Sequence, residues 1–136
     1  MRDEEYILNH CDHILRHTSS RQHKFDFLKG DGKRPRRLPV DAYYDDLKMV
    51  IEYRERQHTE AVPFFDNRMT VSGVPRGEQR RIYDERRRQE LKKNAIELVE
   101  LSFNEFPHKN EGRLKRISDA DRGILKERLQ KWLRTT

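Results

Sequence analysis

The sequence has little cysteine and few apolar residues. Cys11 is the single cysteine among 136 residues. One cysteine excludes a disulfide within the chain and a zinc site built on cysteine pairs. Ile7 and Ile14 lie at helical spacing from Cys11, which predicts a core position rather than a reactive thiol. Apolar residues make up 33% of the chain, and no run approaches the roughly 20 residues that cross a membrane.

The low apolar content and the charged first residues indicate where the protein is located and how many domains it has. The first ten residues, MRDEEYILNH, lack the apolar stretch of a signal peptide. We therefore expect a cytoplasmic protein with no membrane partner. The length favours one domain over residues 1–136, and the apolar content suits one core. The oligomeric state stays open, a homodimer included.

Basic residues outnumber acidic ones. The chain has 30 Lys and Arg against 24 Asp and Glu, a net charge of +6. This balance favours a polyanionic partner, of which nucleic acid is the commonest, although an arginine-rich solvated surface is the alternative. Two basic segments, KGDGKRPRR and RGEQRRIYDERRRQELKK, are candidates for phosphate contact. The second also has acids at ion-pairing spacing, which fits a salt-bridged helix equally well. The candidate contacts are Arg36, Arg37, Arg80, Arg86 and Arg87.

Apolar patterning predicts the order helix, strand, strand, strand, helix, strand, helix. LPVDAYY and KMVIEYR are adjacent strand candidates that a short turn joins into an antiparallel hairpin. Ser118 is expected to cap the last helix. The order predicts an α/β domain with a central mixed sheet of about four strands and flanking helices. Residues 59–77 form a long irregular connection, typical of a lid or binding loop, which we expect to border the site described next.

Asp41 and Glu52 are the residues most suggestive of chemistry. Each lies in one of the two hairpin strands, and a carboxylate in an apolar strand is costly unless it is paired or binds metal. Mg²⁺ prefers oxygen ligands and keeps several waters, so two carboxylates within about 4 to 6 Å are enough protein contribution. Arg54 shares a strand face with Glu52 and is placed to neutralise developing charge. An ordinary ion-pair network of Asp41, Glu52 and Arg54 is the alternative.

The segment LPVDAYYDDLKMVIEYRERQH resembles the core of very-short-patch-repair endonuclease-like proteins, members of the PD-(D/E)xK nuclease superfamily. The shared pattern is a Val-Asp-aromatic strand at Asp41, an apolar strand ending at Glu52, and the pair Gln57 and His58. YDERRRQEL is similar to the helix that follows in those proteins, and IELVELSFNEF to their last core strand. The resemblance covers roughly residues 3 to 106.

The resemblance implies a restriction-endonuclease-like fold and a hydrolase that cleaves DNA phosphodiester bonds. Asp41 and Glu52 would hold Mg²⁺ or Mn²⁺, and an acid of the first helix would complete the site. Glu4 fits that place best, with Glu5 as the alternative. His58 would assist in proton transfer or hold a phosphate, since histidine titrates near neutrality.

One departure from the superfamily pattern concerns Arg54. It stands where the superfamily usually has lysine, and arginine stays charged and does not transfer protons. The resemblance therefore leaves a second interpretation open: a nucleic-acid-binding or accessory protein that keeps the nuclease fold without its chemistry. A structural or regulatory domain that binds no nucleic acid is the third.

Overall fold

The structure is a computed structural model that describes residues 1–56 and 69–133. Within these ranges the predicted order of helices and strands is confirmed, and a short 3-10 helix and a last short helix are found in addition. In chain order the described elements are α1 (Asp3–Leu15), β1 (Ser20–Lys29), β2 (Arg37–Tyr44), β3 (Met49–Arg54), α2 (Arg76–Lys93), β4 (Glu97–Ser102), a short 3-10 helix (Phe103–Glu105), α3 (Ser118–Arg128) and α4 (Gln130–Leu133).

The described strands form one four-stranded sheet in the order β1-β2-β3-β4. β1 pairs antiparallel with β2, and β2 with β3. β4 pairs parallel with β3, from Met49 opposite Glu97 to Arg54 opposite Ser102. A parallel pair needs a long crossover connection, and α2 lies within it. The sheet is therefore mixed and open, with helices beside it, and the predicted α/β class is confirmed.

Two apolar clusters hold the helices to the sheet. The first joins α1 and α3 to one face, and Cys11 is fully buried in it, as predicted. The second lies on the opposite face beneath α2, with Leu91 from the helix and Val50 from β3. β3 supplies residues to both clusters and is buried along its whole length. This agrees with its nearly continuous apolar run.

The start of α3 differs from the expectation. Ser118 is the first residue of the helix, Ile117 takes the N-cap position, and no side chain caps the helix. The prediction that Ser118 caps the helix is therefore wrong.

Asp121 of α3 is fully buried, and its Oδ2 accepts a hydrogen bond of 2.5 Å from the hydroxyl of Tyr6. None of the helices in the described ranges is long and apolar enough to cross a bilayer.

Candidate metal centre

β2 changes its alternation at Asp41. Val40 and Tyr43 both belong to the cluster beneath α2, although they are three residues apart, whereas Ala42 belongs to the cluster beneath α1. Strict alternation would place Val40 and Ala42 on the same face. The paired register with β3 also ends here, at Ala42 opposite Ile51. Asp41 therefore lies where the two hairpin strands part.

Two carboxylates take the place of the missing ladder bonds. Oε2 of Glu52 accepts a hydrogen bond from the backbone N–H of Asp41 at 2.5 Å. Oδ2 of Asp41 accepts one from the backbone N–H of Tyr53 at 2.8 Å. The structure thus brings together the two residues that the sequence singled out. Asp41 is partly exposed, whereas Glu52 is only 2% exposed.

Glu4 of α1 approaches Asp41 from the other side. The amide nitrogen of Gln22 lies 3.2 Å from Oε2 of Glu4 and 3.4 Å from Oδ1 of Asp41, so one side chain bridges both acids. Burial, and in addition the carboxylate of Asp41, raises the pKa of Glu4. Glu5 is exposed. Of the two acids that the sequence left open, Glu4 is the one placed beside Asp41.

Sequence reasoning missed Gln22 and Glu55. Strand pairing sets Gln22 opposite Asp41, so the β1–β2 register was the signal that could have found it. Its backbone φ of 49° could not have been foreseen, because a left-handed conformation costs a non-glycine residue about 1 kcal/mol or more. Glu55 follows β3, and its charge also raises the pKa of Glu4. The acidic surroundings of Asp41 thus extend to Glu55.

Glu4 and Asp41 form no direct ion pair with any residue in the described ranges. Arg2 is the nearby cation: its charge lowers the pKa of Glu4, and it lies 3.8 Å from Glu55. Placing two carboxylates side by side is unfavourable because each disfavours ionisation of the other. Arg2 offsets part of this charge but is shared with Glu55, so Glu4, Asp41 and Glu55 together keep an excess of negative charge.

Arg54 belongs instead to a buried ion-pair network. Its guanidinium lies 2.9 Å from Asp84, 2.9 Å from Glu100 and 3.3 Å from Glu52. Arg87 adds a second cation, 3.1 Å from Asp84 and 3.6 Å from Glu52. The alternative interpretation, an ordinary ion-pair network, therefore describes Glu52 and Arg54 but not Asp41.

The charge of Glu52 reflects opposing influences. Burial is the largest and raises the pKa of its carboxyl group, and the neighbouring Asp41 raises it further. Arg54 and Arg87 act in the opposite direction and do not restore the ordinary value. A further cation beside Glu52 would therefore favour the ionised form of its carboxyl group.

The predicted phosphate contacts divide into two groups. Arg36 and Arg37 are exposed, and Arg80 and Arg86 are partly exposed. Arg86 is 2.9 Å from Asp31. Arg87 differs from the expectation: its side chain is 14% exposed and donates a hydrogen bond of 3.1 Å to the carbonyl of Pro39. It lies on the α2 face that meets the sheet, where the buried Asp84 holds it, so it is poorly placed for phosphate contact.

Some of the expected features fall outside the described ranges. Gln57, His58 and the first part of the connection, residues 59–68, are among them. The described part of that connection lies against the β1–β2 turn, where the hydroxyl of Ser72 donates to Asp31 at 2.7 Å. The lid position near the carboxylates stays a prediction.

The acids around Asp41 are oxygen donors, but they are not arranged as a metal cluster within the described residues. Within residues 1–56 and 69–133, no group of three or more His, Cys, Asp or Glu side chains is arranged as a metal site. The metal hypothesis thus rests on Asp41 with its neighbours Glu52 and Glu4. All three supply carboxylate oxygens, which Mg²⁺ prefers, and Mg²⁺ fills the rest of its coordination shell with water.

Comparison of the chain with protein-family models, curated proteins and solved structures finds no match. The family resemblance therefore rests on the residues of the hairpin and the elements around it.

Proposed function

We propose that the protein is a metal-dependent endonuclease of restriction-endonuclease-like fold that hydrolyses DNA phosphodiester bonds. The observation that carries the proposal is the placement of Asp41 and Glu4 around one amide, that of Gln22, with no direct ion pair to either acid among the described residues. A divalent ion would offset the negative charge that Arg2, shared with Glu55, leaves uncompensated. The mixed sheet, the parting of β2 and β3 at Asp41, and the sequence resemblance of the hairpin support the same proposal.

Each residue has a proposed role at this site. Asp41 and Glu52 hold Mg²⁺ or Mn²⁺, and Glu4 completes the set of oxygen donors. A metal of this kind lowers the pKa of bound water and stabilises charge on phosphoryl oxygens. Arg54 positions Glu52 through the contact of 3.3 Å and is not a proton-transfer group. Arg36 and Arg37, both exposed, are proposed to contact the phosphate backbone, and Arg37 would exchange its surface ion pair with Asp26 for a phosphate.

A second candidate function is favoured by the environment of Arg54. Three carboxylates surround its guanidinium, so its charge is already compensated within the protein. In a protein without a free cation at this position, the fold could bind DNA without cutting it. The second candidate is thus a DNA-binding or accessory protein.

A plasmid nicking assay separates the two. We expect Mg²⁺-dependent nicking that EDTA stops. We expect Asp41→Asn to slow it by at least about 100-fold, because losing a metal ligand costs more than losing an outer-shell partner. Asp46→Asn is the matched control, since Asp46 is exposed in the turn of the same hairpin. DNA binding without nicking would favour the accessory protein, and nicking that survives both EDTA and Asp41→Asn would contradict the metal site.

A further inference from the structure

A second site lies beside the turn that precedes β2. A cavity of about 430 Å³ opens between the β1–β2 turn and α2. Lys33, Arg34 and Arg36 of the turn line it. All three are exposed, and their side chains form no ion pair or hydrogen bond with any residue of the described chain. Three uncompensated cations around one cavity favour an anionic ligand.

The single acid in the cavity wall does not oppose an anion. Asp31 lies 2.9 Å from Arg86 and accepts a hydrogen bond of 2.7 Å from the hydroxyl of Ser72. Its charge is therefore compensated from outside the group of three cations. The net charge that a ligand meets in the cavity is positive.

The remaining wall is apolar and has one amide. Leu38, Val71 and Tyr83 supply the apolar surface, and Gln79 supplies the amide. A phosphate ion would use only the cationic side of such a cavity. A nucleotide uses both sides, because its base has apolar faces and a hydrogen-bonding edge. The volume lies in the lower part of the range of small-molecule sites, about 300 to 1,000 Å³.

The wall is held in place without a ligand. The hydroxyl of Tyr83 accepts a hydrogen bond of 2.8 Å from the backbone N–H of Asp31. Gly30 permits this approach, since a Cβ there would lie 2.8 Å from the hydroxyl oxygen of Tyr83 and 3.2 Å from Leu38. The amide nitrogen of Gln79 donates to the hydroxyl of Ser72 at 3.1 Å. A preformed wall lowers the ordering cost of binding.

We propose that this cavity binds one unpaired nucleotide of a DNA strand, with its phosphate against Lys33, Arg34 and Arg36 and its base against the apolar wall. The inference rests on the proposed function for the choice of DNA. It adds that the substrate has an unpaired nucleotide near the cleavage site. Leu38 precedes Asp41 by three residues of β2, about 10 Å along the strand, so one DNA strand spans both sites.

The test compares two matched variants in binding assays. Val71 lines the cavity and is 74% exposed, whereas Met69 is 69% exposed in the same segment and does not line it. V71E and M69E therefore make the same charge change at similarly exposed positions. The probe is a fluorescent single-stranded DNA of about 12 nucleotides, and its binding is measured by fluorescence anisotropy in the presence of EDTA. Competitors are an all-abasic strand of the same length, a blunt duplex and free thymidine monophosphate.

We expect V71E to weaken single-strand binding about tenfold and M69E less than about twofold, since only V71E disturbs the contact with the base. The abasic strand should compete about tenfold less well than the normal strand. Competition by thymidine monophosphate alone, as strong as that by the strand, would identify free nucleotide as the ligand and overturn the DNA assignment. Equal losses in V71E and M69E, or equal competition by the abasic strand, would overturn the cavity's role.

The failure of this inference is distinguishable from failure of the proposed function. Binding in EDTA needs neither metal nor cleavage. Base-dependent binding with no Mg²⁺-dependent nicking would reject the nuclease and keep the cavity. Nicking that V71E and M69E reduce equally would reject the cavity and keep the nuclease.

Discussion

At the scale of single residues, Glu52 decides how the candidate metal centre responds to pH. Burial, followed by the charge of Asp41, raises the pKa of Glu52 to about 8. Arg54 and Arg87 lie 3.3 and 3.6 Å away and oppose this only in part, so the protonated form is favoured more than for an ordinary carboxyl group. A divalent cation must displace that proton, so metal binding and deprotonation are linked.

The affinity for Mg²⁺ should therefore depend on pH. A metal binds the ionised form, so Mg²⁺ affinity should rise with pH up to about 8 and level off above it. Loss of one proton limits the slope to about tenfold per pH unit. Calorimetric titrations with Mg²⁺ between pH 6 and 9 measure it. Glu52→Gln should remove the dependence, and an affinity that falls with pH would refute the assignment.

Single residues also show where prediction from sequence ends. Asp41 and Glu52 could be selected because ionised side chains in an apolar strand need a partner. Glu4 came from the family resemblance, which implies an acid of the first helix at the site. Gln22 could not, because its role depends on a left-handed backbone conformation within β1. Arg87 looked like any other arginine of a basic helix, and only the packing of α2 on the sheet turns it inward.

At the scale of elements, ion pairs and a few apolar contacts fasten α2 to the sheet. The helix is strongly charged, and Leu91 is its one fully buried apolar side chain within the described ranges. Arg54 of β3 and Glu100 of β4 meet Asp84 and Arg88 of the helix. The sequence supported both a salt-bridged helix and a phosphate-binding one. The inner face of α2 agrees with the first.

Removing Arg54 should therefore loosen α2. Arg54→Met leaves Glu52, Asp84 and Glu100 with less compensating charge in a buried place, which costs about 3 to 5 kcal/mol. Arg37→Met is the control, because Arg37 pairs with Asp26 on the surface and should contribute less than about 1 kcal/mol. Urea unfolding followed by circular dichroism measures both. Similar losses in the two variants would show that the network contributes little.

The elements themselves were the more predictable part of the molecule. The apolar run of β3 and the spacing in α1 predicted both correctly, because burial on the core imposes these periods. The start of α3 was misplaced, since Ser118 has capping chemistry that the helix does not use. The phase change of β2 at Asp41 leaves no mark in the sequence, because it arises from how β2 parts from β3.

At the scale of the whole molecule, the net charge of +6 is unevenly spread. Three cations, Lys33, Arg34 and Arg36, lie at the β1–β2 turn. Three acids, Glu4, Asp41 and Glu55, lie where β2 and β3 part. A basic surface next to an acidic site suits a metal-dependent enzyme that acts on a polyanion. In the proposed nuclease, the surface would attract the substrate, and the metal would offset the repulsion at the site.

DNA affinity should depend strongly on salt. Binding that neutralises phosphates releases counterions, so the affinity falls steeply as salt is raised from about 50 to 200 mM. Replacing Lys33, Arg34 and Arg36 together by glutamine should make the slope of log affinity against log salt shallower by about 2 to 3 units. Anisotropy titrations at several salt concentrations measure this. An affinity that stays constant across the range would exclude an electrostatic interface.

The most direct test of the metal centre is paramagnetic NMR with Mn²⁺. Substoichiometric Mn²⁺ broadens the signals of nuclei close to the site that it occupies. We predict that the backbone amide signals of Gln22, Asp41 and Tyr53 broaden first, and that Asp41→Asn abolishes this while Asp46→Asn does not. Broadening centred on other acidic residues, or unchanged by Asp41→Asn, would contradict a metal site at these carboxylates.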